Sequence, residues 1–103
     1  MTERYDEAEQ LILQAYELKP EDASIIDSMG WISYRLGRLR EAEVYLREAW
    51  KVMRNAEIAA HLGEVLWARG QKDEARSLWK LATELESDND VLIGTMKRFG
   101  ELP

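Results

Sequence analysis

The chain has 103 residues, 33% of them charged, and a formal net charge of −6. That length fits one domain burying roughly 65% of its unfolded surface, and the acidic surplus repels phosphate backbones, which argues against nucleic acid as a partner. Without cysteine disulfides and thiolate metal sites are excluded, and no apolar run reaches the ~18 residues of a membrane span.

Ala, Leu, Glu, Arg and Lys outnumber Val, Ile and Thr, which favours helix over sheet. The spacing predicts a first helix over 5–19, closed by Pro20, with an apolar side of Leu11, Ile12, Ala15 and Tyr16. Asp22 is placed to cap a helix over 23–36, in which Ile26, Met29, Gly30 and Ser33 stand at i, i+3, i+4 and i+7. A helix over 39–54 follows, with Leu39, Ala42, Leu46, Ala49 and Met53 on one side. Asn55 caps the next, over 56–69, where Ala59, Leu62, Gly63 and Leu66 repeat the earlier spacing. Ala75, Trp79, Ala82 and Leu85 give the apolar side of a helix over 72–86. The last helix covers 89–99, with Asp88 as its cap and Val91, Leu92, Thr95, Met96 and Phe99 inward.

Glycines punctuate this order. Gly37 and Gly70 fall between helices, where a residue at positive φ closes the first one. Gly30 and Gly63 lie inside helices at a cost of about 1 kcal/mol each against alanine, so each should let a paired helix approach closely. The acids Asp6, Glu7, Glu41, Asp73 and Glu74 recur at the start of second helices and favour the positive dipole end. Trp50 and Trp79, with Tyr16 and Tyr45, are expected to pack between helices or on the outer side.

The order is periodic. "MGWISYRLGRLREAEVYLREA" sits over "LGEVLWARGQKDEARSLWKLA" at an offset of 33, and Ala8 and Ala15 precede Ala42 and Ala49 by 34. Fixed periods of this length mark stacked helical hairpins. With Met29-Gly30 and Leu62-Gly63, Gly37 and Gly70, Ala42 and Ala75, Ala49 and Ala82, and Pro20, the pattern resembles the tetratricopeptide repeat. It departs where the repeat's tryptophan is replaced by Ile26 and Ala59, its tyrosine by Ser33 and Leu66, and its closing proline by Arg54 and Ser87.

The resemblance implies an all-α, right-handed superhelix. About two and a half hairpins fill a single domain: the second helix of a truncated repeat (5–19), repeats over 23–54 and 56–86, and a capping helix (89–99). Lys97 and Arg98 give that cap a polar outer side. It also implies that first helices line a concave groove. The groove positions carried over are Asp27, Trp31, Tyr34 and Arg35, then Ala60, Glu64, Trp67 and Ala68, with His61 at the edge. Such a groove would grip a peptide or helix of another protein. Some relatives clamp a terminal carboxylate with lysine, arginine and asparagine; here Asp27, Trp31, Ala60 and Glu64 stand in those places and would repel it.

"DSMGW", "YRLGRL" and "AAHLGEVLWA" are similar to the C-terminal repeats of proteobacterial outer-membrane lipoproteins that include an adaptor of a periplasmic carboxyl-terminal processing protease. That narrower resemblance implies a fragment, a periplasmic address and the protease as partner. The leading expectation is a non-enzymatic adaptor without cofactor or metal. The alternative is self-association through the uncovered face of Leu11, Ile12, Ala15 and Tyr16. Neither His61 with Glu64, in H-x-x-E, nor Ser77 with Lys80, in S-x-x-K, makes a site. The first offers too few ligands for a metal. The second lacks a base and an oxyanion hole.

Overall fold

The computed structural model describes residues 2–101, which form six α-helices and no strand. They are α1 (Thr2–Leu18), α2 (Ala23–Arg35), α3 (Leu39–Val52), α4 (Ala56–Ala68), α5 (Lys72–Leu85) and α6 (Asp90–Arg98). The all-α expectation holds. Two compact units divide the chain, Met1–Met53 and Arg54–Pro103.

In the first unit α2 packs against both α1 and α3. Asp22 caps α2 by accepting from the Ser24 and Ile25 amides at 2.9 and 3.2 Å, satisfying donors that a helix start leaves open. Ile26, Met29, Gly30 and Ser33 face inward and meet Ala42, Leu46 and Ala49 of α3, all buried. A Cβ placed on Gly30 would lie 2.6 Å from Leu46 Cγ, closer than any real contact. Glycine there lets α3 approach, and burial of Leu46 contributes about 1.5–3 kcal/mol against the glycine's propensity cost. Gly37 turns the chain at φ +83°, and Arg38, the next residue, pairs with Glu9 of α1.

The second unit repeats the device with a larger side chain. Trp79 of α5 is completely buried, and its Nε1 lies 2.0 Å from where a Gly63 Cβ would stand. Asn55 caps α4 through the Ile58 amide at 2.8 Å, while the Glu86 carboxylate accepts from the Ala56 amide at 2.7 Å. Gly70 turns the chain at φ +84°. The short α6 packs mainly on α4, through Leu92, Thr95 and Met96.

Several details of the sequence reading change: Met53 and Leu85, expected on the apolar sides of the second helices, are 51% and 52% exposed because they fall at the ends of α3 and α5. Asn89, not Asp88, caps α6, accepting from the Leu92 amide at 3.0 Å; this position puts the oxygen three residues before the open donor. Val91 is exposed rather than inward, because the apolar stripe of α6 runs through Leu92, Thr95 and Met96. The early start of α1 at Thr2 places Asp6 and Glu7 beyond its first turn, where the dipole term has faded; Glu41, Asp73 and Glu74 do stand in first turns.

Candidate partner-binding faces

On α2, Asp27, Trp31, Tyr34 and Arg35 stand at i, i+4, i+7 and i+8 and form one stripe along the helix. Helical pitch alone produces this alignment. Trp31 and Tyr34 are half-buried, and their rings tilt together at 36° with centroids 5.1 Å apart. Arg35 is exposed, whereas Asp27 is buried. The stripe thus ends in a cation and offers two aromatic edges along its middle.

The corresponding residues of α4 are differently occupied. His61 is half-buried. Glu64 is 5% exposed, and its Oε1 accepts from Arg98 Nη2 of α6 at 2.7 Å. A carboxylate taken out of water needs such a partner, since burial of an uncompensated charge is costly. Trp67 stacks on Trp79 at 5.8 Å and 20°, and meets Phe99 at 5.2 Å. Trp79 and Phe99 close the triangle at 5.5 Å. Lys72 and Arg76 lie over the Trp67 ring at 5.2 and 5.1 Å, near enough for cation–π attraction.

The sequence reading therefore needs correction for four groove residues. Asp27 and Glu64 are buried rather than open to a ligand, and Trp67 spends its faces on neighbours of its own unit. Hidden acidity is the physical reason for Glu64, because Arg98 reaches it from α6. For the same reason Arg98 does not simply coat the outside of the cap. Ala60 is fully buried as well, while Ala68 is exposed. Sequence spacing could not supply the Glu64–Arg98 pair, which joins residues 34 apart.

The face assigned to self-association is also divided. Leu11 is 68% exposed, but Ile12 and Ala15 are half-buried, and Tyr16 rests edge-on against Tyr45 at 6.2 Å. Burial first, then Glu41, Tyr16, Glu48 and Glu9, raise the Tyr45 hydroxyl above the ordinary tyrosine value of 10.0. Trp50 is half-buried. Among the described residues, no three His, Asp or Glu side chains are gathered to hold a metal.

A family model described as tetratricopeptide repeat matches residues 23–57, the α2–α3 hairpin and the start of α4. The TPR repeat-containing protein PA4667 of Pseudomonas aeruginosa is 53% identical over 97 residues, or 94% of this chain. The chain is a tetratricopeptide-repeat protein. It spans 16% of the length of that relative. Two solved structures share the repeat fold at low identity. One is TTC0263, a thermophilic TPR protein of Thermus thermophilus, with a TM-score of 0.81 at 23% identity over 92% of this chain and 50% of that one. The other is the first TPR of Spaghetti (RPAP3) bound to the HSP90 peptide SRMEEVD. It has a TM-score of 0.81 at 19% identity over 97% of this chain and 80% of that one. Tetratricopeptide repeats generally serve as protein–protein interaction scaffolds, and the second structure holds a peptide.

Proposed function

We propose that this tetratricopeptide-repeat protein is a non-enzymatic adaptor whose α2 stripe grips a peptide or helix of another protein. The tilted pair of Trp31 and Tyr34, half-buried on the stripe that ends in Arg35, carries this reading. Rigid aromatics supply contact area at little entropic cost and dominate many interfaces. Arg35 favours a ligand with an acidic group beside its apolar one.

The likeness to outer-membrane lipoprotein repeats makes a carboxyl-terminal processing protease, met on the periplasmic side, the first partner to try. Titration of the protease with this chain and with Trp31→Ala tests both levels. Loss of affinity by about tenfold or more, at unchanged helicity, is the expected hot-spot result. Normal binding by Trp31→Ala would sink the stripe assignment. A partner other than the protease that still needs Trp31 would sink only the protease.

A further inference from the structure

The second helices copy their inner side from one hairpin to the next, but not their outer side. Ala42, Leu46 and Ala49 of α3 recur as Ala75, Trp79 and Ala82 of α5, buried in both. Away from this core, Arg40, Val44 and Glu48 stand four residues apart on α3, all exposed, and helical pitch sets them in one ridge. The same places on α5 hold Asp73, Ser77 and Leu81. Packing of the hairpin therefore does not demand this ridge. Val44, at its centre, is 62% exposed.

The charges of α3 differ in how they are met. Arg47 is held by Glu43 at 2.7 Å. Glu41 accepts from the Ser33 hydroxyl at 3.0 Å and lies 3.8 Å from Arg38. Arg40 and Glu48 have no hydrogen bond or ion pair among the described residues. They flank Val44 as base and acid. Beside the ridge runs an open groove of about 720 Å³, whose lining includes Tyr16, Leu39 and Tyr45.

We propose that this ridge is a self-association face, which pairs with the same ridge of a second copy across a two-fold axis at Val44. The order base, valine, acid reads acid, valine, base when reversed. An antiparallel copy therefore sets Arg40 against Glu48 of the second copy, and Glu48 against its Arg40. Rows at i±4n are those that interdigitate when helices cross at about −50°, the commonest packing class. A patch that complements itself is what a two-fold dimer requires. One arrangement thus meets both charges that the chain leaves unmet, and this complementarity selects a second copy as the occupant. The contact is one helix wide, below the ~1,200 Å² of a stable complex, so the dimer is weak and depends on concentration. It uses neither the α2 stripe nor the α1 face of Leu11.

Sedimentation equilibrium of the whole chain up to about 1 mM reads it, with an expected Kd on the order of 0.1–1 mM. Val44→Glu should abolish association. Arg40→Glu and Glu48→Arg should each weaken it about fivefold or more, because each sets two like-charged pairs across the axis. The double variant Arg40→Glu/Glu48→Arg pairs again in reverse and should recover the parent's Kd. Circular dichroism should stay unchanged throughout, since all three positions are exposed. Glu48→Arg decides between this contact and bulk charge. It makes an acidic chain less negative, which through net repulsion alone would strengthen association. A chain that stays monomeric to about 1 mM overturns the proposal. So does a Glu48→Arg chain that associates as well as the parent, or a double variant that fails to recover. Association kept in Val44→Glu but lost in Leu11→Glu would overturn it too, and would make the α1 face the interface.

Discussion

The α2–α3 and α4–α5 hairpins solve one packing problem with side chains of different stiffness. In the first, Gly30 admits the branch of Leu46; in the second, Gly63 admits the edge of the Trp79 indole. Leucine can change rotamer, whereas an indole locked between Trp67 and Phe99 cannot move without disturbing the whole aromatic group. Among the described residues the Trp79 Nε1 has no acceptor, an omission that costs about 1–3 kcal/mol for a buried donor. Fit of the ring against the glycine outweighs that cost. The comparison teaches that the same small residue is a tolerant contact in one repeat and a strict one in the next.

Gly63→Ala should therefore do the most damage, about 3 kcal/mol or more, because neither backbone nor ring can yield. Chemical denaturation with tryptophan fluorescence reads it; a loss below that of Gly30→Ala would break the comparison. Gly30→Ala should cost about 2 kcal/mol, since relief of the glycine's helix penalty, about 1 kcal/mol, offsets part of the overlap with Leu46. Gly37→Ala is a control of another kind. Nothing lies within 4 Å of an added Cβ there, so only the left-handed backbone at φ +83° matters. Its thermal unfolding should report roughly 1 kcal/mol.

The smallest effect concerns Tyr45. Its hydroxyl is held above 10.0 in the folded chain by burial and by the acids around it. As pH rises past 10.0 the unfolded chain releases this proton first, so the native state binds more protons and stability falls. At lower pH, where both states keep the proton, the group contributes no pH dependence. Denaturation midpoints of the parent should drop more steeply above about pH 10 than those of Tyr45→Phe. Parallel curves would remove Tyr45 from the account.

Much of the fold was legible because it is built from local rules repeated at a fixed period. Asp22 and Asn55 announced two helix starts, and Gly37 and Gly70 two turns, since capping and positive φ depend on a few neighbouring residues. Asp88 misled because two good caps stand side by side and only the helix geometry chooses Asn89. Gly100 takes the same left-handed turn as Gly37, at φ +70°.

The candidate surfaces were less legible. Periodicity placed Trp31, Tyr34 and Arg35 on one stripe, and would have treated Trp67 alike. Whether such a residue stays available depends on what arrives from distant segments. Arg98 and Phe99 of α6 and its cap come back onto Glu64 and Trp67, contacts between residues far apart in the chain.

The sequence by itself determined six helices, their turns, and the pairs in which glycine faces a large side chain, because helical pitch and steric fit are encoded within one repeat. Tertiary structure alone decided which aromatics and carboxylates were consumed internally. Those outcomes follow from long-range approach, which no local spacing records.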